Sequence, residues 1–309
     1  MSGPDQRDGA DAPGHALARA DAPVTRVVEA VAETAPDVRG GLAGRRMYDG
    51  EADENPSGER QLAADLYADE LLEERLLAVD GVAGYASEER ETVSHADDVD
   101  AAGDDAGYHV ACDPLDGSSN LKSNNAMGTV FAVFDAPLPA AGDRIVAAGY
   151  VLYGPITTLA LAVDDHASEY VVQDGTPELD TAELTLPDDP VVYGFGGRVP
   201  DWPDDFTAYA REIEDELKLR YGGAMIADVN QVLTYGGVFA YPGLESRPEG
   251  KLRLVFEGAP IAYLVAAAGG ASSDGERSLL VVEPDELHQR VPMHVGNEGP
   301  IDRLERTLG

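Results

Sequence analysis

Apolar residues recur at helical spacing in two early stretches of the chain. Over residues 24–35 they fall at Val24, Val27, Val28 and Val31, and over residues 61–79 at Leu62, Leu66, Leu71, Leu72 and Leu76 among many carboxylates. Each pattern predicts an amphipathic helix with one buried stripe. A different pattern follows: residues 108–112, 129–134, 145–152 and 157–163 are short apolar or β-branched runs bounded by Gly, Pro and Asp, and they predict strands. Farther on, 202–219 and 227–233 predict helices, 237–241 and 253–256 strands, and 259–268 a buried helix ended by Gly269 and Gly270. Mixed strands and helices predict a layered α/β (α+β) architecture.

Residues 1–22, rich in Ala, Asp, Gly and Pro, lack sustained periodicity and predict a flexible arm. A Pro- and Asp-rich segment at 176–190 predicts the boundary between two halves, 23–189 and 190–309. Residues 95–107, HADDVDAAGDDAG, read as an acidic surface loop.

Composition narrows the function. No apolar run approaches the roughly 20 residues that span a membrane, so a membrane partner is not expected. Asp5, Arg7, Asp8 and Asp11 occupy the place of a signal's apolar core, which predicts a cytoplasmic protein. The single cysteine, Cys112, excludes internal disulfides and multi-cysteine zinc sites. With 58 acidic against 22 basic residues the net charge is -36, which argues against nucleic acid as a partner. Lysine occurs only at Lys122, Lys218 and Lys251, and acidic residues are spread along nearly the whole chain. That is the pattern of a halophilic surface, and it predicts folding that depends on salt.

The candidate chemistry centres on residues 113–120, DPLDGSSN, directly after an apolar strand. Asp113 and Asp116 at a strand end can share a hard cation. Gly117 permits a tight turn, and the amides and hydroxyls of Ser118 and Ser119 can hold phosphate oxygens. An EF-hand loop counted from Asp113 needs Gly and Glu where Ser118 and Asn124 stand. An aspartyl-nucleophile phosphatase of DxDGT type needs aspartates two apart, and here they are three apart.

The octapeptide, with Ser87-Glu88-Glu89 before it and Glu257 in GKLRLVFEGAP after it, closely resembles the class I fructose-1,6-bisphosphatases of the inositol phosphatase superfamily. The resemblance runs from about Asn55 to Gln289 through NPSGERQLAAD, YASEE, GTVFAVF, AAGYVLYG, RYGGAMIADVNQVLTYGGVFAYP and HQR. It implies a layered αβαβα sandwich of two mixed sheets between helices. It also implies hydrolysis of the 1-phosphate of fructose 1,6-bisphosphate in gluconeogenesis by magnesium-activated water, in a homotetramer or homodimer. Together with the charge pattern it points to a halophilic archaeon.

Carried over residue by residue, the resemblance implies that Glu88, Asp113, Asp116 and Glu257, with the Leu115 carbonyl, ligate two or more magnesium or manganese ions. Asp65 and Glu89 would take the proton of the attacking water. Asp116, Gly117, Ser118 and Ser119 would face the reacting phosphate, and Tyr221, Met225, Tyr241, Lys251 and Arg253 the sugar and distal phosphate. Arg220 would reach that phosphate from a neighbouring subunit. Glu59 stands where the family commonly has an aspartate paired with the arginine matched here by Arg253. A carboxylate on the surface of a helix is the plainer reading of Asp65, and its neighbour Asp69 favours that reading.

Departures bear on specificity and regulation. Ala224 replaces a usual serine, and YGFGG at 193–197 lacks the Asn-containing segment that normally contacts the distal phosphate. Gly107 and Tyr108 stand where animal members carry a lysine and a tyrosine of the nucleotide-inhibitor site, so AMP is expected to inhibit weakly or not at all. His15, His95, His109, His166, His288, His294 and Cys112 read as structural. Sedoheptulose bisphosphatase or a broader sugar and inositol phosphatase is the alternative enzyme, and a sugar-bisphosphate sensor on the same fold the alternative of another class.

Overall fold

The computed structural model describes residues 14–45, 62–96 and 107–309. Two helices come first, α1 (Ala22–Arg45) and α2 (Ala63–Leu77), followed by strands β1 (Val82–Ser87), β2 (Ser94–His95), β3 (Tyr108–Asp116), β4 (Met127–Phe134), β5 (Ile145–Tyr153), β6 (Thr157–Val163), β7 (His166–Gln173) and β8 (Thr176–Thr181). These strands form one sheet in the order β2-β1-β3-β4-β5-β6-β7-β8, parallel only where β1 meets β3.

The second half alternates differently: β9 (Val192–Phe195), α3 (Asp204–Glu216), β10 (Lys218–Leu219), α4 (Met225–Tyr235), β11 (Gly237–Tyr241), β12 (Leu252–Arg253), α5 (Ala259–Ala267), β13 (Ala271–Ser273), β14 (Arg290–Val291), β15 (Met293–Gly296) and α6 (Glu298–Leu308). Its sheet runs β10-β9-β11-β15-β13, mixed in direction, while β12 and β14 pair as a separate ribbon.

Five layers follow from which faces are apolar. Strand β3 sends Val110 and Cys112 to the same cluster as Val27, Val28 and Val31 of α1 and Leu72 and Leu76 of α2. Its alternate residue Ala111 joins the opposite cluster, shared with Ile226 and Val229 of α4 and Ile261 and Leu264 of α5. A strand buried on both faces reads as a continuous apolar run, and β4 is buried along its whole length. On the far side of the second sheet, Phe206, Tyr209 and Ile213 of α3 pack with Ile301 and Leu304 of α6. The order is therefore α1/α2, sheet, α4/α5, sheet, α3/α6, the αβαβα sandwich.

Several boundaries differ from the sequence reading for identifiable reasons. Helix α1 continues through Pro36 to Arg45, with Val38 fully buried, where the apolar spacing before Pro36 predicts an end at 35. The helix predicted over 202–219 is α3, and its last predicted residues pair with β9 as the edge strand β10. The strand predicted at 253–256 gives way after Arg253 to a π-helical turn, Leu254–Gly258. The segment 176–190 contains β8, an edge strand of the large sheet. Of the arm expected over 1–22, residues 1–13 lie outside the described residues. The rest is docked: the Ala16 N–H donates to Ser168 Oγ at 2.9 Å and the Leu17 N–H to the Tyr170 hydroxyl at 3.0 Å. Among the described residues no helix is long and apolar enough to cross a membrane.

Candidate active site

Strand β3 ends in an irregularity that sets up the site. Pro114 has no N–H for the ladder, and between the pairs Asp113–Val130 and Asp116–Gly128 strand β3 carries one residue more than β4. Both aspartates are buried, at 5% and 6% exposure. The Leu115 N–H donates to Asp113 Oδ1 at 3.0 Å, and Asp116 Oδ2 accepts the Ile226 N–H of α4 at 2.8 Å. Gly117 follows with φ 75°, in the left-handed region, and a Cβ there would lie 2.2 Å from the Ala224 Cβ. The turn and the segment before α4 thus touch backbone to backbone. The short helix Ser118–Leu121 comes next.

Two more segments converge on these aspartates. Glu88 follows parallel strand β1, its N–H donating to the Cys112 carbonyl at 3.1 Å. Glu257 sits in the π-helical turn after β12, and its Oε2 accepts the Arg253 N–H at 2.6 Å. One oxygen each of Glu88, Asp113 and Glu257 lies within 4.8 Å of the others. Arg253, only 2% exposed, places Nη2 2.5 Å from Glu88 Oε1 and Nη1 3.7 Å from Glu257 Oε2.

The electrostatics of this cluster favour a hard cation. Burial pushes the Asp113 carboxyl well above the usual range, and repulsion by Glu88, Asp116 and Glu257 adds to it. Asp116 is pushed up to about 7 by burial and then by Glu257, and Glu257 to about 7 by burial against the pull of Arg253. One guanidinium leaves much of this negative charge uncompensated. Closely spaced carboxylate oxygens are the donor set a divalent ion such as magnesium takes.

Asp65 of α2 is no surface carboxylate. It is 5% exposed, its Oδ2 accepts the Leu62 N–H at 2.8 Å, and its buried Oδ1 has no hydrogen-bond partner among the described residues. Burial raises its carboxyl to about 7, with the Leu62 N–H opposing the shift and Glu88 adding to it. Asp69, read from sequence as a sign of a solvated helix face, is 2% exposed and accepts from the Tyr85 hydroxyl at 3.0 Å and Arg90 Nε at 2.7 Å. Four residues apart on α2, both carboxylates turn inward.

A cavity of about 320 Å³ gathers the sequence candidates. Asp65, Glu88, Glu89, Asp113, Leu115, Asp116, Gly117, Ser118, Ser119, Tyr221, Met225, Tyr241, Lys251, Arg253 and Glu257 all border it. Met225 is at once a lining residue and part of the core below. Lys251 Nζ lies 5.7 Å from the Tyr241 ring centre. Arg220 does not border its own chain's cavity; it is exposed, its guanidinium 6.0 Å from the Tyr235 ring. Glu59 lies outside the described residues. The YGFGG segment stays clear of the cavity, but a Cβ on Gly196 would fall 2.2 Å from the Tyr241 ring, so this glycine makes room for it.

Sequence reasoning passed over two residues that the structure places here. Asn120 donates from Nδ2 to the Ala126 carbonyl at 2.9 Å and the Gly222 carbonyl at 3.0 Å. Asp228 borders the cavity from α4. His288 braces the site from behind, its Nε2 2.7 Å from the Arg90 carbonyl. Cys112 is fully buried and its thiol is pushed well up by burial, which makes it an inert core residue.

Comparison with known proteins agrees along the chain. Residues 38–179 match the family model "Fructose-1-6-bisphosphatase, N-terminal domain", and residues 186–309 match its C-terminal counterpart. A class 1 fructose-1,6-bisphosphatase of Natronomonas pharaonis is 67% identical over 91% of this chain and 97% of its own length. One from Haloarcula marismortui is 53% identical over 94% and 96%. The crystal structure of Leishmania major fructose-1,6-bisphosphatase in holo form superposes with a TM-score of 0.86 at 25% identity, covering 96% of this chain and 99% of that one. With both halves matched and relatives this close along nearly its full length, the chain belongs to the class 1 fructose-1,6-bisphosphatase family.

Proposed function

We propose that the chain is a metal-dependent phosphatase that removes the 1-phosphate of fructose 1,6-bisphosphate, giving fructose 6-phosphate and phosphate in gluconeogenesis. The observation that carries this is the convergence of Glu88, Asp113 and Glu257 within 4.8 Å in a cavity that the Gly117–Ser119 turn also borders. Glu88, Asp113, Asp116 and Glu257, with the Leu115 carbonyl, would hold magnesium or manganese. When bound, such ions neutralise phosphoryl charge and lower the pKa of the attacking water.

The chain's own groups do the rest. The backbone amides from Gly117 to Ser119, with the two serine hydroxyls, receive the oxygens of the reacting phosphate. Asp65, with one oxygen unpartnered among the described residues and a carboxyl near 7, is suited to accept a proton from water close to neutral pH, with Glu89 also bordering the cavity. The water oxygen attacks phosphorus, the bond from phosphorus to the C1 oxygen breaks, and that oxygen leaves as the sugar hydroxyl after taking up a proton. Lys251, Tyr221 and Tyr241 hold the sugar and its distal phosphate, with Met225 and Arg253 on the cavity wall. Arg220, exposed and outside its own cavity, acts on a neighbouring subunit's substrate in a dimer or tetramer.

Phosphorus NMR of the products, across fructose 1,6-bisphosphate, sedoheptulose 1,7-bisphosphate and inositol phosphates at high salt, tests the assignment. Fructose 6-phosphate accumulating with fastest turnover on the fructose substrate is expected. Release from the 6-position, or preference for an inositol phosphate, would contradict it.

A further inference from the structure

The Gly222 peptide is held from both sides. Asn120 donates to its carbonyl at 3.0 Å, while its N–H donates to Asp228 Oδ1 at 2.5 Å. Gly223 has φ 81°, a conformation open to glycine, so this backbone needs fixing from outside. Asp228 lies one helical turn into α4, is 3% exposed, and its Oδ2 has no hydrogen-bond partner among the described residues. Two aspartates thereby take donors on either side of the start of α4: Asp228 that of Gly222, and Asp116 that of Ile226. Tyr221, immediately before the held peptide, borders the cavity yet is 48% exposed, so its own packing does little to place it.

We propose that Asp228 is a positioning residue for the substrate: by holding the Gly222 amide it fixes the backbone that presents Tyr221 to the cavity. This rests on Tyr221 being a substrate contact. Keeping the carboxyl there is costly, since burial raises it to about 7, and its partner is the backbone donor that registers the substrate segment against the phosphate turn.

The test compares the wild-type chain with Asp228→Ala and Asp228→Asn at high salt. Hydrogen exchange of the 220–224 segment is read by mass spectrometry, fructose 6-phosphate binding by calorimetry, and KM and kcat by phosphate release. In wild type the Gly222 amide should exchange as slowly as those of α4. Asp228→Ala should speed that exchange and weaken both Kd and KM about tenfold, with kcat changing less than about threefold. Asp228→Asn, which keeps an acceptor of the same shape, should restore both. Fast exchange in wild type, or unchanged exchange and affinity in Asp228→Ala, would overturn the proposal, as would failure of the asparagine variant to rescue. A wild-type chain inactive on fructose 1,6-bisphosphate would instead sink the proposed function, and the exchange rates would still decide the role of Asp228.

Discussion

Arg253 Nη2 lies 2.5 Å from Glu88 Oε1, and the pair is buried beneath the carboxylate cluster. Glu88 follows the first strand of the large sheet and Arg253 closes the short ribbon of the other half, so this contact joins the two halves at the site. Removing one partner of a buried pair leaves the other without compensation. Arg253→Met, similar in volume, should destabilise the metal-free protein by about 3–5 kcal/mol. Chemical unfolding checks this, and added magnesium should recover part of the loss.

Asp113 makes the opposite prediction. Burial and three carboxylate neighbours hold its carboxyl well above the usual range, so the ionised form strains the metal-free fold. Asp113→Asn should therefore raise metal-free stability by about 1–3 kcal/mol while abolishing phosphate release. Thermal unfolding with and without magnesium separates the two effects: the wild type should gain stability on metal addition and the variant should not.

His294 gives a pH dependence away from the site. Its Nδ1 lies 2.9 Å from the Ser273 carbonyl, its Nε2 is buried without a partner among the described residues, and burial lowers its pKa from 6.5 to about 4. The unfolded chain binds this proton more readily than the folded one. The stabilisation from neutral His294 is therefore complete above about 6.5 and lost as pH falls toward 4, amounting to about 3 kcal/mol. His294→Asn should flatten the stability profile over that window relative to wild type, and an identical slope would contradict it.

The net charge of -36 makes surface repulsion a large opposing term at low salt. Screening shortens to about 3 Å at 1 M salt, so the unfolding temperature should climb steeply with potassium chloride. Native circular dichroism and full activity after dialysis into low-salt buffer would contradict this.

The residues that gather at the cavity were the most legible part of the sequence, because most of them sit in local motifs: DPLDGSSN, SEE and GKLRLVFEGAP. The helices with one apolar stripe were also readable. Residues whose meaning is purely tertiary were not. Asp69 is indistinguishable in sequence from a solvated helix carboxylate until Tyr85 and Arg90 are brought to it. Asp228 sits at helical spacing among apolar residues, and only the fold aims its carboxylate at Gly222. Residues 253–256 have the apolar character of a strand, but the Arg253 N–H bonded to Glu257 turns the backbone into a π-helical turn instead. Strand β1 contains Gly84 and alanines, and β8 alternates in burial but has Leu179 as its one large aliphatic side chain and a Pro, so neither stood out as a strand.

The most direct measurement is phosphate release from fructose 1,6-bisphosphate in molar potassium chloride, with magnesium, after chelation, and after magnesium is restored. Release that stops on chelation and returns with the metal is predicted for the wild type, with none from Asp113→Asn in any condition. Release that persists after chelation, or survives in Asp113→Asn, would contradict the assignment of the buried carboxylates as the metal centre.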